Sequence, residues 1–143
     1  MDAAHRVAHC SAMKSHQGGT ATTRPLLSVV DDDESVRESL PDLLREFGFA
    51  SQVFSSAEEF LSSGCVGETS CLILDIAMPG MSGPELHQEL KHRGQKIPTI
   101  FITGQRDETI RARMLKQGVA AFLLKPFSDA DLVAAIKMAL HAT

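Results

Sequence analysis

Nothing in the chain approaches the ~20 consecutive apolar residues that a membrane span needs, and the first residues lack the apolar block of a secretion signal. A soluble, internal protein is expected. Charge of one sign is missing too: 14 Lys plus Arg stand against 18 Asp plus Glu, a net charge of −4. So mild a balance leaves no electrostatic footprint for nucleic acid or a membrane surface. Cysteine is scarce, and Cys10, Cys65 and Cys71 make neither an even set nor a CxxC pair. That usage fits a reducing cytoplasm, with Cys71 acting as a small hydrophobe inside an apolar run.

At 143 residues there is room for one domain with a real core. Residues 1–24 mix Ala, His, Ser, Gly and Thr without strand or helix periodicity, so they read as a flexible arm preceding a domain drawn over 25–143. His5, His9 and Cys10 could be drawn as a metal site because residues four apart share a helix face, but the reading taken is a flexible arm. Beyond it, apolar runs at Leu26 to Val30, Ala50 to Phe54, Cys71 to Leu74, Ile97 to Ile102 and Ala121 to Leu124 read as strands. Helical spacing fills the intervals: Leu40, Leu43, Leu44 and Phe47, then Leu86 and Leu90, then Ile110, Met114 and Leu115. A last helix carries Leu132, Val133, Ile136 and Leu140. Ser56 with Glu59, Ser82 with Glu85 and Ser128 with Asp131 have the Ser-x-x-acid spacing that satisfies free amides at a helix start. Pro41 lies deep in the first helix, where a lost hydrogen bond is expected to kink it at a cost of ~3 kcal/mol.

Strands alternating with helices imply an α/β fold, and the unbroken apolar Leu72-Ile73-Leu74 implies a parallel sheet covered on both faces. Five strands with right-handed crossovers point to the doubly wound, flavodoxin-like order 2-1-3-4-5, whose ligand crevice lies at the carboxyl ends of strands one and three. Four strand runs end in polar residues: Asp31 with Asp32, Asp75, Thr103 and Lys125. Three carboxylates brought together repel, and the usual remedy is a hard divalent cation; Mg²⁺ keeps waters and completes its shell with phosphate oxygens. A threonine hydroxyl and a lysine ammonium suit the spread charge of a phosphoryl group, and an aspartate can attack phosphorus and hold that group covalently. Asp75 is the candidate nucleophile. Asp33 and Glu34 read instead as an acidic helix entrance.

The segments Val29-Val30-Asp31-Asp32, Leu74-Asp75-Ile76-Ala77-Met78-Pro79-Gly80-Met81-Ser82-Gly83, Ile102-Thr103-Gly104 and Lys125-Pro126-Phe127 resemble, in order and spacing, the receiver domain of bacterial two-component response regulators. The resemblance covers residues 26 to 141. The run Asp31-Asp32-Asp33-Glu34-Ser35-Val36-Arg37 and the Lys-Pro-Phe ending are most similar to FixJ-type receivers. It implies a phosphoacceptor switch in a cytoplasmic phosphorelay rather than an enzyme acting on an outside substrate. Asp75 would take phosphate from a sensor histidine kinase or a small phosphodonor. Asp31, Asp32, Asp75 and the carbonyl of Ala77 would hold Mg²⁺, and Thr103 and Lys125 would bind the phosphoryl oxygens. Thr103 and Phe122 would then move, reshaping the surface of the fourth helix, fifth strand and fifth helix toward an output domain, a downstream protein or a second copy of the chain. No direct contact with nucleic acid or membrane is implied for this chain. The same resemblance implies a cis Lys125-Pro126 bond and gives Ala77 and Gln105 a part in the lifetime of the aspartyl phosphate.

Three rival functions share parts of this pattern. An aspartyl phosphatase also uses Mg²⁺ but needs a second acid at position 77, which is Ala. A flavin-binding module of the same sheet order needs phosphate-accepting amides after strand one, where Asp31 to Glu34 would repel phosphate. A receiver that never accepts phosphate would not need all five site residues.

Overall fold

The computed structural model describes residues 25–104 and 108–141. Five strands, β1 (Leu26–Val30), β2 (Ala50–Phe54), β3 (Cys71–Asp75), β4 (Thr99–Thr103) and β5 (Ala121–Leu124), form one parallel sheet in the order β2-β1-β3-β4-β5. Among the described residues five α-helices alternate with them: α1 (Glu34–Glu46), α2 (Ala57–Ser62), α3 (Gly83–His92), α4 (Glu108–Lys116) and α5 (Asp129–His141). A short 3-10 turn, Val66–Glu68, interrupts the approach to β3. The expected fold class and strand order are both present.

The sheet divides the core in two. On one face Val30, Leu72, Leu74 and Phe101 pack under Phe60 of α2, Leu86 and Leu90 of α3 and Met114 of α4. On the other, Leu27, Val29, Ile73, Ile100 and Ile102 meet Leu40 and Leu44 of α1 and Leu132 and Ile136 of α5. Side chains alternate across a strand, so the β3 positions Cys71 to Leu74 must all be apolar to feed both clusters. Cys71 belongs to this core, and burial pushes its thiol up to about 12.

The three serine starts behave as capping chemistry predicts. The Oγ atoms of Ser56, Ser82 and Ser128 accept from the amides of Glu59, Glu85 and Asp131 respectively, at 3.0, 3.3 and 3.0 Å. At Ser82 the Glu85 carboxylate also returns to the Ser82 amide, completing a capping box. Helix α1 runs on through Pro41 as one element.

Several expected boundaries shift. Ile97 precedes β4 rather than opening it, while Asp75 and Thr103 are the last residues of their strands instead of lying just past them. Phe47, expected on the buried stripe of α1, is 47% exposed: the helix has ended, and Gly48 turns the chain at φ 90°. Leu115 is 41% exposed because its neighbour Met114 takes the inward position on α4.

Candidate functional site

Parallel register brings the strand ends to one edge. Val30 pairs with Leu74, Asp75 with Ile102, and Thr103 with Leu124. Asp31 therefore lies just beyond β1, Asp75 and Thr103 close β3 and β4, and Lys125 follows β5. The Lys125 amide donates to the Thr103 carbonyl at 2.7 Å, tying the last two ends together.

Carboxylate oxygens of Asp31, Asp32 and Asp75 all lie within 4.8 Å of one another, with Asp31 and Asp75 buried and Asp32 exposed. Asp31 is fixed on three sides. Its Oδ1 accepts from the Asp33 amide at 2.9 Å, and its carbonyl accepts from Arg37 Nη1 at 2.8 Å. Its own amide donates to the Phe54 carbonyl at 3.1 Å. Lys125 Nζ stands 3.0 Å from Asp31 Oδ2. This is an ion pair without hydrogen-bonding alignment, so Oδ2 remains a buried acceptor with no directed donor. An unfilled carboxylate lone pair among three clustered acids is what a hard cation requires, and the residues present fit Mg²⁺.

The electrostatics follow from this crowding. Burial first, and then the Asp31 charge, push the Asp75 carboxyl up to about 7, with Lys125 pulling the other way. Desolvation acts to lower the Lys125 ammonium, but Asp31, Asp75 and Asp33 outweigh it and hold the group above its ordinary value. Asp33 serves the helix: its carboxylate accepts from both the Ser35 hydroxyl at 2.7 Å and the Ser35 amide at 3.0 Å, which lowers its pKa. It is the N-cap of α1, as its place in an acidic helix entrance suggested.

The remaining candidate residues divide by position. Thr103 is buried at the end of β4, and Ala77 is exposed in the β3–α3 loop, two residues past Asp75. Phe122 is half-buried on β5, outside the acidic group, with its ring tilted against Phe101 at 6.4 Å. The Lys125-Pro126 bond is cis. His5, His9, Cys10 and Gln105 lie outside the described residues.

Three supporting contacts had no readable signal in the sequence. Arg37 holds the Asp31 carbonyl, as noted. Glu58 of α2 reaches across 23 positions, its Oε2 accepting from the Met81 amide at 3.0 Å. Gly83 opens α3 so close to β3 that a Cβ there would sit 2.3 Å from the Asp75 carbonyl oxygen. Only a residue without a side chain lets the helix start at that spot.

This chain belongs to the family of response regulator receiver domains, whose model matches residues 27–137. Among curated relatives, it is 43% identical over 122 residues to Nodulation protein W of Bradyrhizobium diazoefficiens, an alignment covering 84% of this chain and 54% of that protein. It is likewise 43% identical over 112 residues to the transcriptional regulatory protein FixJ of Azorhizobium caulinodans, covering 78% of this chain and 53% of the relative. The chain thus spans about half the length of the curated relatives it matches. Among solved structures, FixJ-N superposes with a TM-score of 0.75 at 35% identity, covering 85% of this chain and 98% of the other. The response regulator StyR gives 0.77 at 42% identity, covering 84% and 61%. No helix among the described residues is long and apolar enough to cross a membrane.

Proposed function

We propose that residues 25–143 act as a cytoplasmic phosphoacceptor switch, in which Asp75 takes a phosphoryl group from a sensor histidine kinase or a small phosphodonor. The observation that carries this reading is the convergence of Asp31, Asp32, Asp75 and Lys125 on one sheet edge. An Asp75 carboxylate oxygen attacks phosphorus, the bond from phosphorus to the donor imidazole nitrogen breaks, and its electron pair leaves with the imidazole. Asp31, Asp32, Asp75 and the Ala77 carbonyl would hold Mg²⁺. When bound, the ion neutralises charge on the phosphoryl oxygens and lowers the repulsion among the acids. Lys125 and Thr103 then supply an ammonium and a hydroxyl to the same oxygens.

A groove of about 670 Å³ opens beside Lys125, between α1 and the segment leading into α5. Val36, Leu40, Leu43 and Phe127 give it apolar walls, and Asp42, Glu46 and Asp129 line it with negative charge. A protein donor bearing a basic, amphipathic helix would seat there with its phosphorylated side chain near Asp75. Phosphorylation biases a two-state equilibrium through new charge-assisted bonds to Thr103 and Lys125. Phe122, already against Phe101, carries the change to the surface formed by α4, β5 and α5. An output domain, a downstream protein or a second copy of the chain reads that surface.

Intact mass after incubation with acetyl phosphate and Mg²⁺ tests the assignment. One added phosphoryl group is expected in the parent and none in Asp75→Asn. Unchanged labelling of the variant, or no labelling of the parent by a donor that modifies another receiver, would refute it.

A further inference from the structure

At the end of the sheet opposite the carboxylates, a second groove of about 670 Å³ lies between the last turns of α3 and α4. Its size falls within the roughly 300–1,000 Å³ of small-molecule sites. Leu90, Ile97, Pro98 and Val119 give it an apolar lining. Every ionisable lining group is basic: His87, Lys91 and Lys96, with no carboxylate among the lining residues of a chain whose net charge is −4. Lys91 Nζ donates to the Gln117 carbonyl at 3.1 Å, spanning from one wall to the other.

His87 is the second, independent sign. It is only 7% exposed, its ring meets the Phe101 ring edge-on at 5.8 Å, and its Nδ1 is buried with no hydrogen-bond partner. Buried polar side-chain atoms are nearly always paired, so the unpaired Nδ1 leaves this groove-lining ring short of a hydrogen-bond partner. Burial and then the Lys91 charge hold the imidazole below its usual range. An anion beside the ring would offset both effects and give a ring proton an acceptor.

We propose that this groove binds a small organic anion: an acid group held among Lys91, Lys96 and His87, with a flat apolar body against Leu90, Ile97 and Val119. The charge of the lining selects an anion over a neutral ligand. The modest volume selects a small molecule over a macromolecule. Nothing in this proposal depends on phosphorylation of Asp75.

Heteronuclear NMR titration of the full chain with 2-naphthoate, and with the uncharged 2-naphthamide, tests it. The acid is expected to saturate and shift the amides of Leu90, Gln95 and Val119, with the amide probe about tenfold weaker, a difference of roughly 1.4 kcal/mol. Lys96→Glu should weaken the acid about fivefold, the scale of an exposed ion pair, and leave the amide probe unchanged. His87→Phe keeps the ring contact with Phe101 and removes both nitrogens, and should also weaken the acid selectively. Equal affinity for the two probes, shifts centred elsewhere, or no saturation by the acid would overturn the proposal. An acid affinity indifferent to both variants would do so as well.

Discussion

Lys125 Nζ lies 3.0 Å from Asp31 Oδ2, and the Asp31 side chain is wholly buried while that of Lys125 is 22% exposed. The ammonium therefore brings a positive charge into the carboxylate cluster in the metal-free protein. Removing one partner of a buried pair leaves the other charge uncompensated, which is costly. With Lys125 partly open to solvent, Lys125→Met should destabilise the metal-free chain by about 2 kcal/mol, below the full cost of breaking a buried pair. A bound cation replaces the lost ammonium, so saturating Mg²⁺ should recover most of the deficit. Urea denaturation followed by far-ultraviolet circular dichroism, in EDTA and in Mg²⁺, measures both. The same deficit in both conditions would mean that the lysine and the metal do not share a charge role.

The pH dependence rests on Asp75, whose ordinary value of 3.8 is raised to about 7 by burial and by Asp31. A carboxyl with a raised folded value binds its proton more tightly when folded. The stabilisation is complete below the unfolded value and is lost as pH rises through about 7. Above that, the metal-free fold carries a buried, repelled charge. Asp75→Asn removes it, so in EDTA the variant should exceed the parent by about 2–4 kcal/mol at alkaline pH. The advantage should fade toward zero as pH drops below the unfolded value, where Asp75 is protonated in both states. Thermal melts across that range decide the point; an advantage independent of pH would contradict the raised value.

Much of this architecture is legible in the residues themselves. The apolar runs at Leu26 to Val30 and Cys71 to Leu74 need no partner to be recognised, because period and continuity encode two-sided burial. Ser82 and Glu85 announce a helix start by spacing alone, and the start is there. Asp31, Asp75 and Lys125 could be brought together on paper because a parallel sheet puts all carboxyl ends on one edge. Contacts set by three-dimensional approach are different. Gly83 looks like any glycine after a serine; its need comes from the Asp75 carbonyl, eight residues back, which only the folded loop puts 2.3 Å from a would-be Cβ. His87 reads as one polar residue in a helix, and nothing local says that its ring meets Phe101. Phe47 fails for a related reason: the apolar period continues past the point where Gly48 ends the helix.

Glu58 is a further contact of this long-range kind, and it bears directly on the acidic edge. Its Oε2 accepts from the Met81 amide at 3.0 Å, and a Cβ on Gly80, which turns at φ 75°, would come within 2.9 Å of the same oxygen. The carboxylate thus pins the β3–α3 loop from α2, four residues past Ala77, whose carbonyl is proposed as a metal ligand. A charged acceptor on a backbone amide is worth about 1 kcal/mol when solvent reaches it. Glu58→Ala should therefore weaken Mg²⁺ binding by about fivefold, while Glu58→Gln, which keeps an acceptor oxygen, should recover most of the loss. Isothermal calorimetry suits the measurement, since the chain has no Trp or Tyr to report by fluorescence. A purely structural role would lower the melting temperature of the metal-free protein and leave the Mg²⁺ affinity alone, and that outcome would remove Glu58 from any account of the metal site.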